Sequence, residues 1–228
     1  MKLVSTEKMN SQSVPKTRGL TIPWASFYDT AVWLLSLGKG QAIRKVTVEL
    51  AQIKLGDRVL DVGCGTGDLT MAAKALAGPG GEVFGTDASP EMIDLARRKA
   101  ARAGVDVTFQ IDLIENITFP DNQFDVVLSS LMMHHLPDDL KREGLAEIYR
   151  VLKPGGRLLI VDMESSSSGS VGQRFSDLMI QLHGGHTAMQ NNVKKLIPLV
   201  EAAGFAGVET DKINRQISSI AGKKAAVS

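Results

Sequence analysis

The sequence predicts a doubly wound α/β fold, a parallel sheet covered by helices on both faces. Three observations carry this reading. Short apolar segments alternate with amphipathic ones between residues 58 and 162. The first apolar segment runs into a glycine-rich turn that opens a helix. The apolar segments also end, one after another, in polar residues: Asp61, Asp87, Asp112 and Ser129-Ser130. Repeated strand–helix–strand units wind a parallel sheet, and such sheets bind ligands at the carboxyl ends of their strands.

The elements follow in order. Residues 1–20 are rich in Ser, Thr and Lys and lack periodicity. From Trp24 to Leu55 apolar residues recur at three- and four-residue spacing, interrupted by Gly38 and Gly40, so residues 1–55 read as a helical cap segment. Residues 56–228 read as the main body of what is one domain overall. Its first strand is Arg58–Val62, followed by a helix over Leu69–Ala77 that Gly78-Pro79-Gly80-Gly81 stops. The second strand is Glu82–Thr86. Ser89 supplies an N-cap, with Pro90 at the first helical position, and Gly104 ends that helix.

The third strand is Val107–Gln110. The fourth, Phe124–Ser129, is apolar enough for burial on both faces. Asp138 is expected to cap a helix over Asp139–Leu152. Lys153-Pro154-Gly155-Gly156 is expected to turn it into a fifth strand, Arg157–Asp162. A Ser-rich loop follows, and about 165–192 reads as an inserted substrate cap. Two weak strands are expected near Val208–Ile213 and Gln216–Ile220.

Composition narrows the class. At 228 residues, 43% hydrophobic and 22% charged, the chain can build one substantial core. A net charge of +1 gives no field for nucleic acid or an anionic membrane. The single cysteine, Cys64, excludes an internal disulfide and a cysteine metal cluster, and no metal is expected. No apolar run approaches the roughly 18–20 residues of a membrane span, and the N-terminus is not a secretory signal, so a cytoplasmic protein is expected.

The turn Asp61-Val62-Gly63-Cys64-Gly65-Thr66-Gly67-Asp68 holds the chemistry. Alternating glycines let a ligand approach bare backbone, and the helix that follows aims N–H groups at it. The dinucleotide fingerprint fails, because its third glycine would fall at Asp68. The phosphate loop fails too, for want of a lysine after Gly67. Acids on both sides, Asp61 and Asp68, would repel a pyrophosphate and suit a ligand with a cationic end. Asp87, twenty residues past Gly67, can accept from ribose hydroxyls, and Asp112 from an adenine amino group.

This turn resembles the first motif of the class I S-adenosylmethionine-dependent methyltransferases. Asp87-Ala88-Ser89-Pro90-Glu91-Met92, Asp112-Leu113, Phe124-Asp125-Val126-Val127 and Leu152-Lys153-Pro154-Gly155-Gly156 are similar to the family's later motifs. The likeness covers roughly Asp57 to Met163. It implies a Rossmann-like sheet of seven strands whose last runs antiparallel. It also implies that Asp61, Gly63 and Gly65 hold the methionine part of S-adenosylmethionine, with Cys64, Thr66 and Gly67 completing the turn. Asp87 would hold the ribose, Ala88 or Met92 would pack on adenine, and Asp112 with Leu113 would bind its edge. Ser129 or Ser130 would line the methionine side, and Tyr28 sits where relatives place an aromatic over the cofactor.

Methyl transfer is an in-line displacement that needs alignment and exclusion of water. It needs a base only where the acceptor keeps a proton. His134, His135 and His186 are the base candidates. The regions around Trp24–Leu37 and Ser170–Met189 are apolar and suit a small hydrophobic acceptor such as a phenol or quinol, or equally a homodimer surface. The fifth strand and N-terminus look most like the ubiquinone/menaquinone biosynthesis methyltransferases. Their characteristic segment after strand four is absent; Leu131-Met132-Met133-His134-His135-Leu136-Pro137 stands there. A protein or RNA acceptor, or a non-catalytic cofactor-binding protein on the same fold, are the alternative readings.

Overall fold

In a computed structural model of the chain, residues 40–164, 193–215 and 217–226 are described. They open with helix α1 (Gly40–Leu50), so Gly40, which the sequence suggested as an interruption, begins a helix. Two strand–helix units and a third strand follow: β1 (Arg58–Val62) with α2 (Asp68–Ala77), β2 (Glu82–Asp87) with α3 (Pro90–Ala103), and β3 (Thr108–Ile111). Then come β4 (Phe124–Ser130), a 3-10 turn at Met133–His135, α4 (Asp138–Val151) and β5 (Leu152–Met163). A 3-10 turn at Val193–Leu196, α5 (Ile197–Ala202), β6 (Ala206–Lys212) and β7 (Ile217–Lys223) close the fold.

The seven strands form one sheet in the order β3-β2-β1-β4-β5-β7-β6. Strands β1 to β5 pair in parallel, while β7 runs antiparallel to both β5 and β6. The strand order reverses between β1 and β4, and the crevice at such a reversal is where doubly wound sheets bind ligands. Strand β6 is the edge; Glu209, Asp211 and Lys212 give it charges that discourage further pairing.

The core lies on both faces of the sheet. On one face Leu60, Val127 and Ile160 meet Leu140, Leu145 and Ile148 of α4. On the other, Val59, Leu128 and Val161 meet Val48 of α1 and Ala73 and Ala77 of α2. Burial on both faces explains why β4 reads as a near-continuous apolar run. Each fully buried Leu, Ile or Phe contributes about 1.5–3 kcal/mol, so this double core fixes the strand ends rigidly.

The caps follow the sequence in one helix and depart from it in another. Ser89 accepts from the Met92 amide, Pro90 opens α3, and Gly104 ends it in the left-handed region at φ +64°. In α4, by contrast, Pro137 occupies the cap position. Asp138 is the first helical residue, and its carboxylate accepts from Lys141 Nζ at 2.9 Å instead of capping. The expected turn at Lys153–Gly156 is also strand. Leu152 pairs with Phe124, a bulge follows, and Gly155 and Gly156 exchange backbone hydrogen bonds with Lys224 at 2.9 Å.

Tyr28, His186, the N-terminal cap before residue 40 and the inserted cap at 165–192 lie outside the described residues. Among the described residues no helix is long and apolar enough to cross a membrane.

Candidate functional site

The glycine turn crosses from the end of β1 to the start of α2 at the strand-order reversal. Its backbone is tied to β2: the Gly63 and Cys64 amides both donate to the Thr86 carbonyl, at 2.8 and 2.9 Å. The Gly67 amide donates to the Cys64 carbonyl at 3.0 Å. Gly63, Gly65 and Gly67 all take positive φ, of 72°, 53° and 82°, which explains the residue type at each.

The three glycines differ in what surrounds them. A Cβ on Gly63 would collide with the Met132 side chain, and one on Gly67 would lie 2.5 Å from the Phe109 ring and 3.0 Å from Ala96 Cβ. A Cβ on Gly65 would meet nothing within 4 Å among the described residues. The turn is therefore closely packed at its two ends and open at its middle glycine. That opening has the shape of a cradle, with room for a ligand to approach bare backbone.

Two acids, the buried Asp61 and the half-buried Asp87, flank the cradle. Asp61 is 1% exposed and accepts from the Thr70 hydroxyl at 2.7 Å. Burial, more than any other cause, pushes its carboxyl up from 3.8 to about 7; the Thr70 hydrogen bonds work against this, and the nearby Asp87 charge adds to it. Asp87 accepts from the Gly65 amide on one oxygen and the Ser89 amide on the other, both at 2.9 Å. Burial raises its pKa as well, against the lowering effect of those two amides. Two carboxyls that burial drives toward protonation are good partners for an ammonium group and for ribose hydroxyls, each of which stabilises the ionised form. The residues present thus fit the adenosyl-amino-acid cofactor that the sequence implied.

The other cofactor candidates surround this pair. Cys64 is half-buried, and burial pushes its thiol well above the ordinary range, so it stays neutral. The buried Thr66 hydroxyl accepts from Lys99 Nζ at 3.1 Å. Ala88 is half-buried beside Asp87, and Met92 is buried in α3. Asp112 joins the loop between β3 and β4: one oxygen accepts from the Thr118 amide and hydroxyl at 3.0 Å, the other from the Leu113 amide at 3.1 Å. Ser129 is 1% exposed with no hydrogen-bond partner for its hydroxyl among the described residues, and Ser130 is half-buried at the strand end.

One electrostatic expectation is corrected. Asp68 does not add a second negative charge to the site. It pairs with Lys99, and with Arg44 at 3.3 Å. Those partners sit 31 residues after and 24 before it, so only the fold shows that its charge is neutralised.

His134 and His135 occupy the 3-10 turn after β4, with ring centroids 3.9 Å apart. His134 Nδ1 lies 2.6 Å from Asp162 Oδ1, and its amide donates to Asp162 Oδ2 at 2.9 Å. Asp162 is the residue that reading the sequence missed. It is a polar residue closing an apolar strand, the same signal that marked Asp61, Asp87 and Asp112.

The chain is similar to known methyltransferases. A family profile described as a methyltransferase domain matches residues 59–156. The demethylmenaquinone methyltransferase of Thermus thermophilus is 40% identical over 146 residues, 64% of this chain and 64% of that protein. The ubiquinone/menaquinone biosynthesis C-methyltransferase of Pseudomonas paraeruginosa is 35% identical over 167 residues, 72% of this chain and 64% of that protein. The chain thus spans somewhat under two thirds of the length of these curated relatives. Among solved structures, a SAM-dependent methyltransferase from Aquifex aeolicus superposes with a TM-score of 0.66 at 22% identity. That match covers 79% of this chain and 88% of the other, a likeness of fold.

Proposed function

From a chain that belongs to the class I S-adenosylmethionine-dependent methyltransferases, we propose transfer of a methyl group to a small, apolar, hydroxyl-bearing aromatic acceptor of the hydroquinone class. The observation that carries the donor half is the open Gly65 cradle between Asp61 and Asp87. The family's cofactor, S-adenosylmethionine, supplies a methyl group on a sulfonium that is already a good leaving group. Asp61 would hold its ammonium, Asp87 its ribose, and the turn Gly63–Gly67 would let it lie against backbone. Asp112 and Leu113, on the same strand-end edge, would bind its base.

The acceptor half rests on the relatives at 35–40% identity, whose names describe methylation in quinone biosynthesis. Enzyme and acceptor must together exclude water and align the acceptor with the methyl carbon. The segment after β4 that leads into the His134 turn lies against the glycine turn, because Met132 fills the space beside Gly63. The neutral sequence charge favours a small acceptor over RNA.

The test has two arms. Calorimetry with S-adenosylhomocysteine should show binding, and NAD should show none. Incubation with methyl-labelled cofactor and a short-chain demethylmenaquinol, kept reduced, should transfer label. Binding without transfer to any hydroquinone or phenol would overturn the acceptor class and leave the donor site standing.

A further inference from the structure

The geometry points to Asp162 as the positioning residue of a His134–Asp162 pair, in which the imidazole takes the hydroxyl proton of the acceptor. The inference rests on the acceptor class proposed above.

Parallel pairing of β4 with β5 sets Ser130 beside Val161, which brings the turn after β4 against the end of β5. There Asp162 is 2% exposed. Its Oδ2 accepts the His134 amide, and its Oδ1 faces the His134 Nδ1 at 2.6 Å and accepts the Met163 amide at 2.7 Å. One oxygen would suffice to anchor the turn. The other is spent on the ring, and a carboxylate at that distance requires the hydrogen on Nδ1. The lone pair of the neutral ring then belongs to Nε2, which is the arrangement a general base needs.

The surroundings favour the same chemistry. His134 and Asp162 share a small pocket with the buried Lys141 of α4, whose ammonium pairs with Asp138 at 2.9 Å. Met133, Met163, Val193 and Leu196 supply its apolar walls. The His135 ring lies against His134. An oriented imidazole in an apolar setting would ease the loss of a proton from an acceptor hydroxyl.

The step balances as follows. Nε2 takes the acceptor's O–H proton, and the electron pair left on the acceptor forms the bond to the methyl carbon. The carbon–sulfur bond breaks with its pair going to sulfur. Where the bond forms at a ring carbon, that carbon loses its hydrogen as the ring regains aromaticity and the oxygen regains a proton. One proton is released to water overall, and the imidazolium is held meanwhile by the Asp162 carboxylate.

The first experiment is independent of turnover. Long-range nitrogen–proton spectra of the 15N-histidine-labelled full chain, saturated with S-adenosylhomocysteine, report the tautomer of neutral His134. The pair requires hydrogen on Nδ1; a hydrogen on Nε2 overturns the proposal. Asp162→Asn then presents an amide donor to Nδ1 and should invert the tautomer. On demethylmenaquinol it should lower kcat by about a hundredfold or more, with S-adenosylhomocysteine affinity and the acceptor KM within about twofold. Asp162→Glu should recover part of that kcat. In His134→Gln the added Asp162→Asn should cost little more, since the two act as a unit. Unchanged kcat in both single variants overturns the pair and leaves the proposed function intact. A wild type that binds S-adenosylhomocysteine yet methylates no hydroxyl acceptor overturns both.

Discussion

Alanine at Gly65 and alanine at Gly67 should separate binding from stability, although the two residues share one turn. Both glycines hold positive φ, which costs an L-residue roughly 1–2 kcal/mol. At Gly67 the added methyl would also press into the Phe109 ring and Ala96, and overpacking of that kind adds about 1–3 kcal/mol. Gly67→Ala should therefore lose about 2–5 kcal/mol in total. At Gly65 the methyl meets no atom of the described residues, so the loss should stop at the backbone strain of about 1–2 kcal/mol. The same methyl would stand in the cradle. Affinity of Gly65→Ala for S-adenosylhomocysteine should fall at least about tenfold, or about 1.4 kcal/mol. Urea unfolding without ligand gives the stabilities, and calorimetry gives the affinity. A Gly65→Ala protein that binds S-adenosylhomocysteine as the wild type does would refute the cradle, however stable it is.

Three further outcomes are expected. Asp87→Ala should weaken S-adenosylhomocysteine binding markedly by calorimetry, since it removes the partner of the Gly65 amide and the proposed ribose acceptor; unchanged affinity would remove Asp87 from the site. Asp61, raised from 3.8 to about 7, favours its uncharged form in the folded state, so its contribution is complete below about pH 4 and is lost as pH rises through about 7. The loss is on the order of 4 kcal/mol, and Asp61→Asn, which keeps the Thr70 hydrogen bond, should unfold in urea with far less decline between pH 5 and pH 8 than the wild type; parallel declines would contradict the shift. Asp68→Ala should change stability by about 1 kcal/mol or less, as partly exposed ion pairs do, and should leave S-adenosylhomocysteine affinity unaltered.

The legible parts of this molecule are those whose cause is local. Ser89 and Pro90 specify the start of α3 by themselves, and the Asp61–Gly67 spacing specifies a turn that rejects dinucleotides and phosphate loops. Two weak strands near the C-terminus become β6 and β7, which close the antiparallel edge. Features set by distant partners were not legible. Gly155 and Gly156 look like a turn, yet hydrogen bonds to Lys224 hold them within β5 at a bulge, with Gly155 at φ +78°. Asp68 looks like a free charge until Lys99 and Arg44 fold onto it. Asp138 resembles a cap, but Pro137 already holds the extended backbone that a cap position requires. His134 stood out as an ionisable residue near the site, while its Asp162 partner, 28 residues away, emerges only from the β4–β5 register.

The most direct test of the account follows one methyl group. Purified full-length protein, methyl-labelled S-adenosylmethionine and short-chain demethylmenaquinol should give a product heavier by one labelled methyl, formed in proportion to enzyme and time. Gly65→Ala should form it far more slowly at limiting cofactor. Label that reaches no hydroquinone or phenol, from a protein shown to bind S-adenosylhomocysteine, would contradict the account.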